Sequence, residues 1–199
     1  MTTPEVQEEH GGKVEGVHIF QAKSAAQIEQ IRGLFLEYAK SLGFSLCFQG
    51  FDQELAGLPG DYAPPEGRLL LAEYDGKVAG CGALHKVEGH ESRVASGEPG
   101  IKVTDNTQAD ERIGEMKRLY LRPAFRGKGL GRALAERILR EARGIGYAKL
   151  RLDTVEPVMK DAVAMYRRMG FREIAPYREN PMAGTLYMEL DLGEGLGQR

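Results

Sequence analysis

Arg126-Gly127-Lys128-Gly129-Leu130-Gly131-Arg132 is the stretch that decides the fold. It joins a strand-like run, Glu115 to Leu121, to a helical run, Gly129 to Gly144, in which Leu130, Leu134, Ile138 and Ala142 share one face. Three glycines let the backbone approach a ligand closely and adopt positive φ. The first N–H groups of the following helix have no intrahelical partner, and the aligned peptide dipoles add partial positive charge there. Together these features make an anion site suited to a diphosphate. From Met116 to Arg132 there are six basic residues (Lys117, Arg118, Arg122, Arg126, Lys128, Arg132) and no acidic one, in a chain whose formal net charge is −2. The competing reading is an ordinary turn with a solvated basic face.

Outward from this loop, the chain reads as alternating strands and helices. Upstream, Val17 to Phe20 is a short strand, and Ser24 starts a helix with Gln27 in the capping-box position and Gly43 as its stop. Phe51 to Leu58 is a second, short helix, followed by a loop marked by Pro59, Gly60, Pro64, Pro65 and Gly67. Arg68 to Tyr74 and Lys77 to His85 flank Asp75-Gly76, a strong hairpin signal. The small apolar residues of the second run, among them Ala79, Cys81 and Ala83, predict close packing on both faces. The polar stretch 88–112 is a long loop whose composition favours disorder. Downstream, Ala148, Leu150 and Leu152 alternate as a strand, Met159 to Met169 is a helix stopped by Gly170, and Phe171 to Ile174 and Thr185 to Leu192 are strands. The order β-α-α-β-β-β-α-β-α-β-β implies an α/β fold: a mixed sheet with helices on both faces and crossovers at Met116–Arg143 and Tyr147–Met169.

The 199 residues suit a single domain spanning 16–192, with polar or Gly-rich tails at 1–15 and 193–199. Apolar residues make up 42% and charged residues 28%, the balance of a globular protein rather than a disordered one. The net charge gives no global field to recruit nucleic acid. Cys47 and Cys81 have no framework or zinc spacing and read as buried thiols of a reducing compartment. No apolar run approaches the ~20 residues of a membrane span, and the first residues show no signal-peptide core, so a cytoplasmic location is expected. His18, His85 and His90 are scattered without metal spacing, and His85, at the end of an apolar strand, reads as structural; no metal is expected. Arg140, Arg143, Lys149 and Arg151 read as a solvated face.

Other phosphate-binding folds fit the loop poorly. A P-loop requires Ser or Thr after Gly-Lys, and Gly127-Lys128 is followed by Gly129. A dinucleotide fingerprint would place its third glycine at position 132, which is Arg, and its first strand would be apolar rather than charged. Instead, Arg126-x-x-Gly129-x-Gly131 resembles the coenzyme A diphosphate signature of the GNAT (Gcn5-related) N-acetyltransferases, Arg/Gln-x-x-Gly-x-Gly/Ala. Downstream, Ala162 to Phe171 resembles that family's second signature, an Ala-x-x-x-Tyr helix ending in Gly-Phe. The likeness covers roughly Leu69 to Leu192.

The resemblance implies a GNAT fold, a mixed, mostly antiparallel sheet of six to seven strands, with acetyl-CoA as cosubstrate. It implies a strand that splays from its neighbour at a bulge, so that Leu119, Tyr120 and Leu121 pair with the pantetheine arm and offer backbone N–H groups to the thioester oxygen. Arg126, Gly127, Lys128, Gly129, Leu130, Gly131 and Arg132 would hold the diphosphate, with Gly129 and Gly131 least replaceable. Glu115, eleven residues before Arg126, stands where the histone-acetylating branch has its general base, and a partly buried site would raise its pKa. The open alternative is an edge-strand Glu paired with a nearby arginine. Tyr166 matches the family's proton donor to the cofactor sulfur. It also shares a face with Ala162 and Met169, so a packing role stays open. Many relatives have Asn where this chain has Met159, so that contact is not carried over. In this fold the segments Tyr38 to Tyr62 and Tyr177 to Ala183 would wall the acceptor, an amine-bearing small molecule or peptide, and their aromatics read as core more than pocket. A homodimer is compatible with this pattern, no nucleic-acid or membrane partner is expected, and a non-catalytic acyl-CoA sensor or interaction module is the alternative function.

Overall fold

Ser24 sets the entry of the first helix. Its hydroxyl accepts the Gln27 N–H at 3.2 Å while the Gln27 side chain accepts the Ser24 N–H at 3.0 Å. This reciprocal pair starts α1 (Ala25–Leu42), and Gly43, in the left-handed region at φ 74°, ends it. The computed structural model describes residues 16–44, 46, 50–87 and 112–193. Cys47, most of the 88–112 loop and the tails, apart from Gly193, lie outside the described residues.

The remaining elements follow the expected order. They are β1 (Val17–Gln21), α2 (Phe51–Gly57), β2 (Arg68–Tyr74), β3 (Lys77–Lys86), β4 (Ile113–Leu121), α3 (Leu130–Ile145), β5 (Lys149–Val155), α4 (Lys160–Arg168), β6 (Arg172–Ile174) and β7 (Thr185–Asp191). Asp75 and Gly76 both have positive φ, at 48° and 73°, as a tight hairpin turn between β2 and β3 requires. The seven strands form one sheet in the order β1-β2-β3-β4-β5-β7-β6. Every neighbouring pair is antiparallel except β4 and β5, which the α3 crossover makes parallel.

Alternation along β2 splits the core in two. Leu70 and Ala72 face α3, with Leu84, Leu134, Ile138 and Leu150. Leu69 and Leu71 face α1, with Ile31, Phe35, Cys81 and Ala83. Each fully buried leucine contributes about 1.5–3 kcal/mol, so the sheet is clamped from both faces.

The clamp opens at one place. β4 and β5 pair only through Ile113–Lys149, Gly114–Leu150 and Glu115–Arg151, and then part. On its other side β4 carries a bulge: between the Cys81–Tyr120 and Ala83–Lys117 pairs, Gly82 on β3 faces both Arg118 and Leu119 on β4. Arg118 takes φ 55° there. Its guanidinium is held by Glu54 of α2, Nε to Oε1 at 3.0 Å and Nη2 to Oε2 at 2.6 Å. A buried two-pronged ion pair of this kind offsets the cost of a left-handed backbone at a non-glycine residue.

Candidate active site

The loop after β4 presents backbone rather than side chains. Gly127 and Gly129 lie at φ 75° and 81°, and Gly129 is the N-cap of α3. No side chain caps this helix and its first turn holds no acidic residue. The basic side chains around it are engaged elsewhere. Arg126 donates Nε–H to the Leu121 carbonyl at 3.0 Å, Lys128 lies 4.7 Å from the Tyr74 ring centre, and Arg132 pairs with Glu136 at 2.7 Å. An uncapped helix start with no competing carboxylate suits a diphosphate held by N–H groups.

Beside the loop, the parting of β4 and β5 leaves a narrow cavity of about 60 Å³. Met116, Lys117 and Leu119 line one side and Leu152, Asp153 and Thr154 the other. Tyr166 and Met159 reach it from α4, and Tyr38 from α1. Tyr166 is buried against Phe171, ring centres 5.7 Å apart, and burial pushes its hydroxyl pKa well above the ordinary 10. Its packing and its place on the cavity wall are therefore not alternatives. Met159, the N-cap of α4, accepts the Thr154 hydroxyl on its sulfur at 3.3 Å.

Glu115 sits where the two strands begin to part, and its side chain is 2% exposed. Three donors converge on its carboxylate: His85 Nε2 at 2.9 Å, the Tyr177 hydroxyl at 2.6 Å, and Arg178 Nη1 at 3.0 Å. Burial pushes its pKa up, but the His85 hydrogen bond and the Arg178 charge outweigh it, and the pKa falls to about 2. The expected raised pKa is thus corrected. Nor is β4 an edge strand, since it lies in the middle of the sheet. Arg178 also pairs with Asp153 of β5, to which Asn180 donates at 2.9 Å. His85, Tyr177 and Arg178 border an open cleft of about 1280 Å³ on the other side of Glu115.

Residues 33–171 match the pattern of the acetyltransferase (GNAT) family. The chain belongs to that family. The acetyltransferase is 32% identical to an uncharacterized N-acetyltransferase of Schizosaccharomyces pombe, over 92% of this chain and 99% of that one. It is 34% identical to an IAA acetyltransferase of Azospirillum brasilense, over 65% of this chain and 71% of that one. Its fold is similar to a GNAT-family acetyltransferase from Staphylococcus aureus, with a TM-score of 0.62 at 15% identity, covering 88% of this chain and 99% of that one. It is also similar to a putative acetyltransferase from Salmonella typhimurium, solved with its cofactor acetyl-CoA, with a TM-score of 0.58 at 18% identity, covering 92% and 97%. The chain is an acetyl-CoA-dependent N-acetyltransferase. No described helix of it is long and apolar enough to cross a membrane.

Several features of this candidate site escape a reading of the sequence alone. His85 contacts Glu115 rather than merely ending a strand. Arg151 is not on a solvated face: it pairs with Glu189 at 2.7 Å and lies 5.2 Å from the Tyr177 ring centre. Tyr62 and Phe51 are core residues, whereas Tyr177 is bound to Glu115. The Gly at position 131 is also freer than expected. A Cβ there would meet Leu121 at 3.6 Å and Met165 at 4.0 Å, ordinary contacts.

Proposed function

We propose that the enzyme moves the acetyl group directly from acetyl-CoA to the amine of a small molecule or peptide, with both substrates meeting where β4 and β5 part. The observation that carries this is the unpaired β5-facing edge of β4, which leads from the cavity to the uncapped start of α3. An extended pantetheine arm adds to such an edge as a strand would. Leu119, Tyr120 and Leu121 then pair with the arm, and residues Arg126 to Arg132 hold the diphosphate, chiefly through N–H groups. The backbone N–H groups beside the bulge receive the negative charge that grows on the thioester oxygen.

The amine attacks only when neutral. An alkylammonium of pKa ~10.4 must lose a proton at about 1.4 kcal/mol per unit, roughly 4–5 kcal/mol at neutral pH. Glu115, ionised and saturated with donors, is a poor direct acceptor for that proton. We assign it the anionic anchor of a proton path. His85, bound to Glu115 and bordering the open cleft, exchanges the proton with solvent. As the C–N bond forms and the C–S bond breaks, the thiolate leaves within reach of Tyr166. A hydroxyl with so high a pKa stays protonated, and it stabilises the thiolate by donating a hydrogen bond until a proton arrives.

The test is direct. Acetyl-CoA at a hundred times its Kd should stabilise the native state by about 2.7 kcal/mol, which raises the Tm by roughly 5–10 °C for a chain of this size. NAD should raise it by nothing, and a panel of primary amines should release free thiol from acetyl-CoA. Stabilisation by NAD and not by acetyl-CoA would overturn the reading.

A further inference from the structure

Hydrogen-bond bookkeeping around the cavity and the cleft beside it is one-sided. Among the described residues every carboxylate there has partners. Glu54 takes Arg118 and the Tyr62 hydroxyl, Glu115 takes His85, Tyr177 and Arg178, and Asp153 takes Arg178 and Asn180. The unmet groups are donors. Nε of Arg178, a residue of the open cleft rather than of the cavity, is buried with no partner. Lys117 lines the cavity with no hydrogen bond or ion pair among the described residues, two places after Glu115 on the same face of β4. Burial lowers its pKa while the charge of Glu115 acts to raise it.

The charges also balance as they stand: Glu54, Glu115 and Asp153 against Lys117, Arg118 and Arg178. A bare ammonium would add a fourth positive charge to this set and be repelled by Lys117. A zwitterion leaves the balance unchanged and brings the acceptor oxygens the site lacks. The pantetheine arm carries no charge to fill that role, and the thioester oxygen is neutral until the reaction begins.

We propose that the acetyl acceptor is a free amino acid, bound through its carboxylate by Lys117, with the amine directed to the thioester. This rests on the acetyl-transfer reading and narrows its substrate class.

The test compares free amino acids with their own carboxamides, using thiol release from acetyl-CoA and a wider panel of simple amines as control. The parent enzyme should favour the best amino acid over its amide by at least about tenfold in kcat/KM, because a full charge pair is lost in the amide. Lys117→Met should raise KM for the acid by about ten- to a hundredfold while leaving the amide nearly unchanged, and Lys117→Arg should restore the preference. Melting curves check that each variant folds. Amides equal to or better than acids in the parent would overturn the carboxylate proposal and leave acetyl transfer standing, as would turnover of simple amines only. A Lys117→Met that lowers kcat equally for acid and amide would overturn it too, and place Lys117 at the thioester instead. Thiol release with no amine at all would remove the acetyl-transfer reading with it.

Discussion

The two halves of the site are built from different materials. The proposed donor half is one continuous stretch, Leu119 to Arg132, in which two positive-φ glycines present backbone N–H groups and the charged side chains are occupied elsewhere. The proposed acceptor half is assembled from side chains on separate elements. Glu115 meets His85 across 30 positions of sequence and Arg178 across 63, and Arg178 meets Asp153 across 25. A backbone site is sensitive to dihedral angles and almost indifferent to side-chain identity. A side-chain network is the reverse: each member is replaceable in shape but not in charge.

The largest effect should come from breaking the donor half at its dihedral. Gly129→Val puts a β-branched residue at φ 81°. It should cost about 1–3 kcal/mol of fold stability, because the strain is in the backbone itself. Losing even two charge-assisted hydrogen bonds to the diphosphate should weaken acetyl-CoA binding by at least ~10²-fold. The clean readout is the acetyl-CoA-dependent rise in Tm, which should vanish from a variant that still melts cooperatively. A rise as large as the parent's would put the diphosphate elsewhere.

In the acceptor half the corresponding break is one charge. Glu115→Gln keeps the shape and leaves Arg178 short of a buried partner, at a cost of roughly 3 kcal/mol near neutral pH. The sign with pH follows from the depressed pKa. Folding lowers it from the ordinary 4.5 to about 2, so the contribution of Glu115 is complete above about pH 4.5 and is lost as pH falls toward 2. The parent-minus-variant difference in unfolding free energy should therefore be flat above pH 5 and shrink below it. A difference that stays constant down to pH 2.5 would mean that the carboxylate is not held ionised in the folded state.

The same contrast explains what the sequence made legible. The succession of elements along the chain, the capping box at Ser24, the hairpin at Asp75-Gly76 and the glycine loop are all local patterns, each written within a few residues, and all could be read. The direction of the Glu115 pKa shift could not, because it depends on donors contributed by β3 and by the segment between β6 and β7. Burial was foreseeable from the strand, but the three donors that outweigh it had no mark at Glu115 itself. Arg151 was misplaced for the same reason: its partner Glu189 and the ring of Tyr177 lie on distant segments. The one usable signal was the density of charge and aromatic groups in Tyr177 to Asn180, and it carried no register.

A smaller effect, confined to chemistry, is expected at Tyr166. Tyr166→Phe keeps the ring against Phe171 and should leave the Tm within a few degrees. If the hydroxyl stabilises the departing thiolate by a hydrogen bond to a charged group, about 1.5–3 kcal/mol is lost and kcat falls roughly ten- to a hundredfold with little change in KM for acetyl-CoA. A kcat within threefold of the parent, with chemistry shown to limit the rate, would reduce Tyr166 to a packing residue.

The smallest effect should come from Gly131→Ala, and it tests whether the donor half is truly a backbone site. Gly131 is the second residue of α3, and it is absent from the positive-φ positions that mark Gly127 and Gly129. Its missing side chain is not required by the protein, since a Cβ would rest at 3.6 Å from Leu121 and 4.0 Å from Met165. Alanine in a helix is favoured over glycine by roughly 0.5–1 kcal/mol, so the apo protein should melt about 1–4 °C higher. If the diphosphate is held by the N–H groups of the loop, these keep their positions and acetyl-CoA affinity should stay within about threefold, less than 1 kcal/mol. Paired with Gly129→Val two positions earlier, this separates dihedral from volume. If Gly131→Ala instead abolishes the acetyl-CoA-dependent rise in Tm while raising the apo Tm, the diphosphate must press against the helix at Gly131 itself. The glycine there would then serve close approach rather than chain geometry.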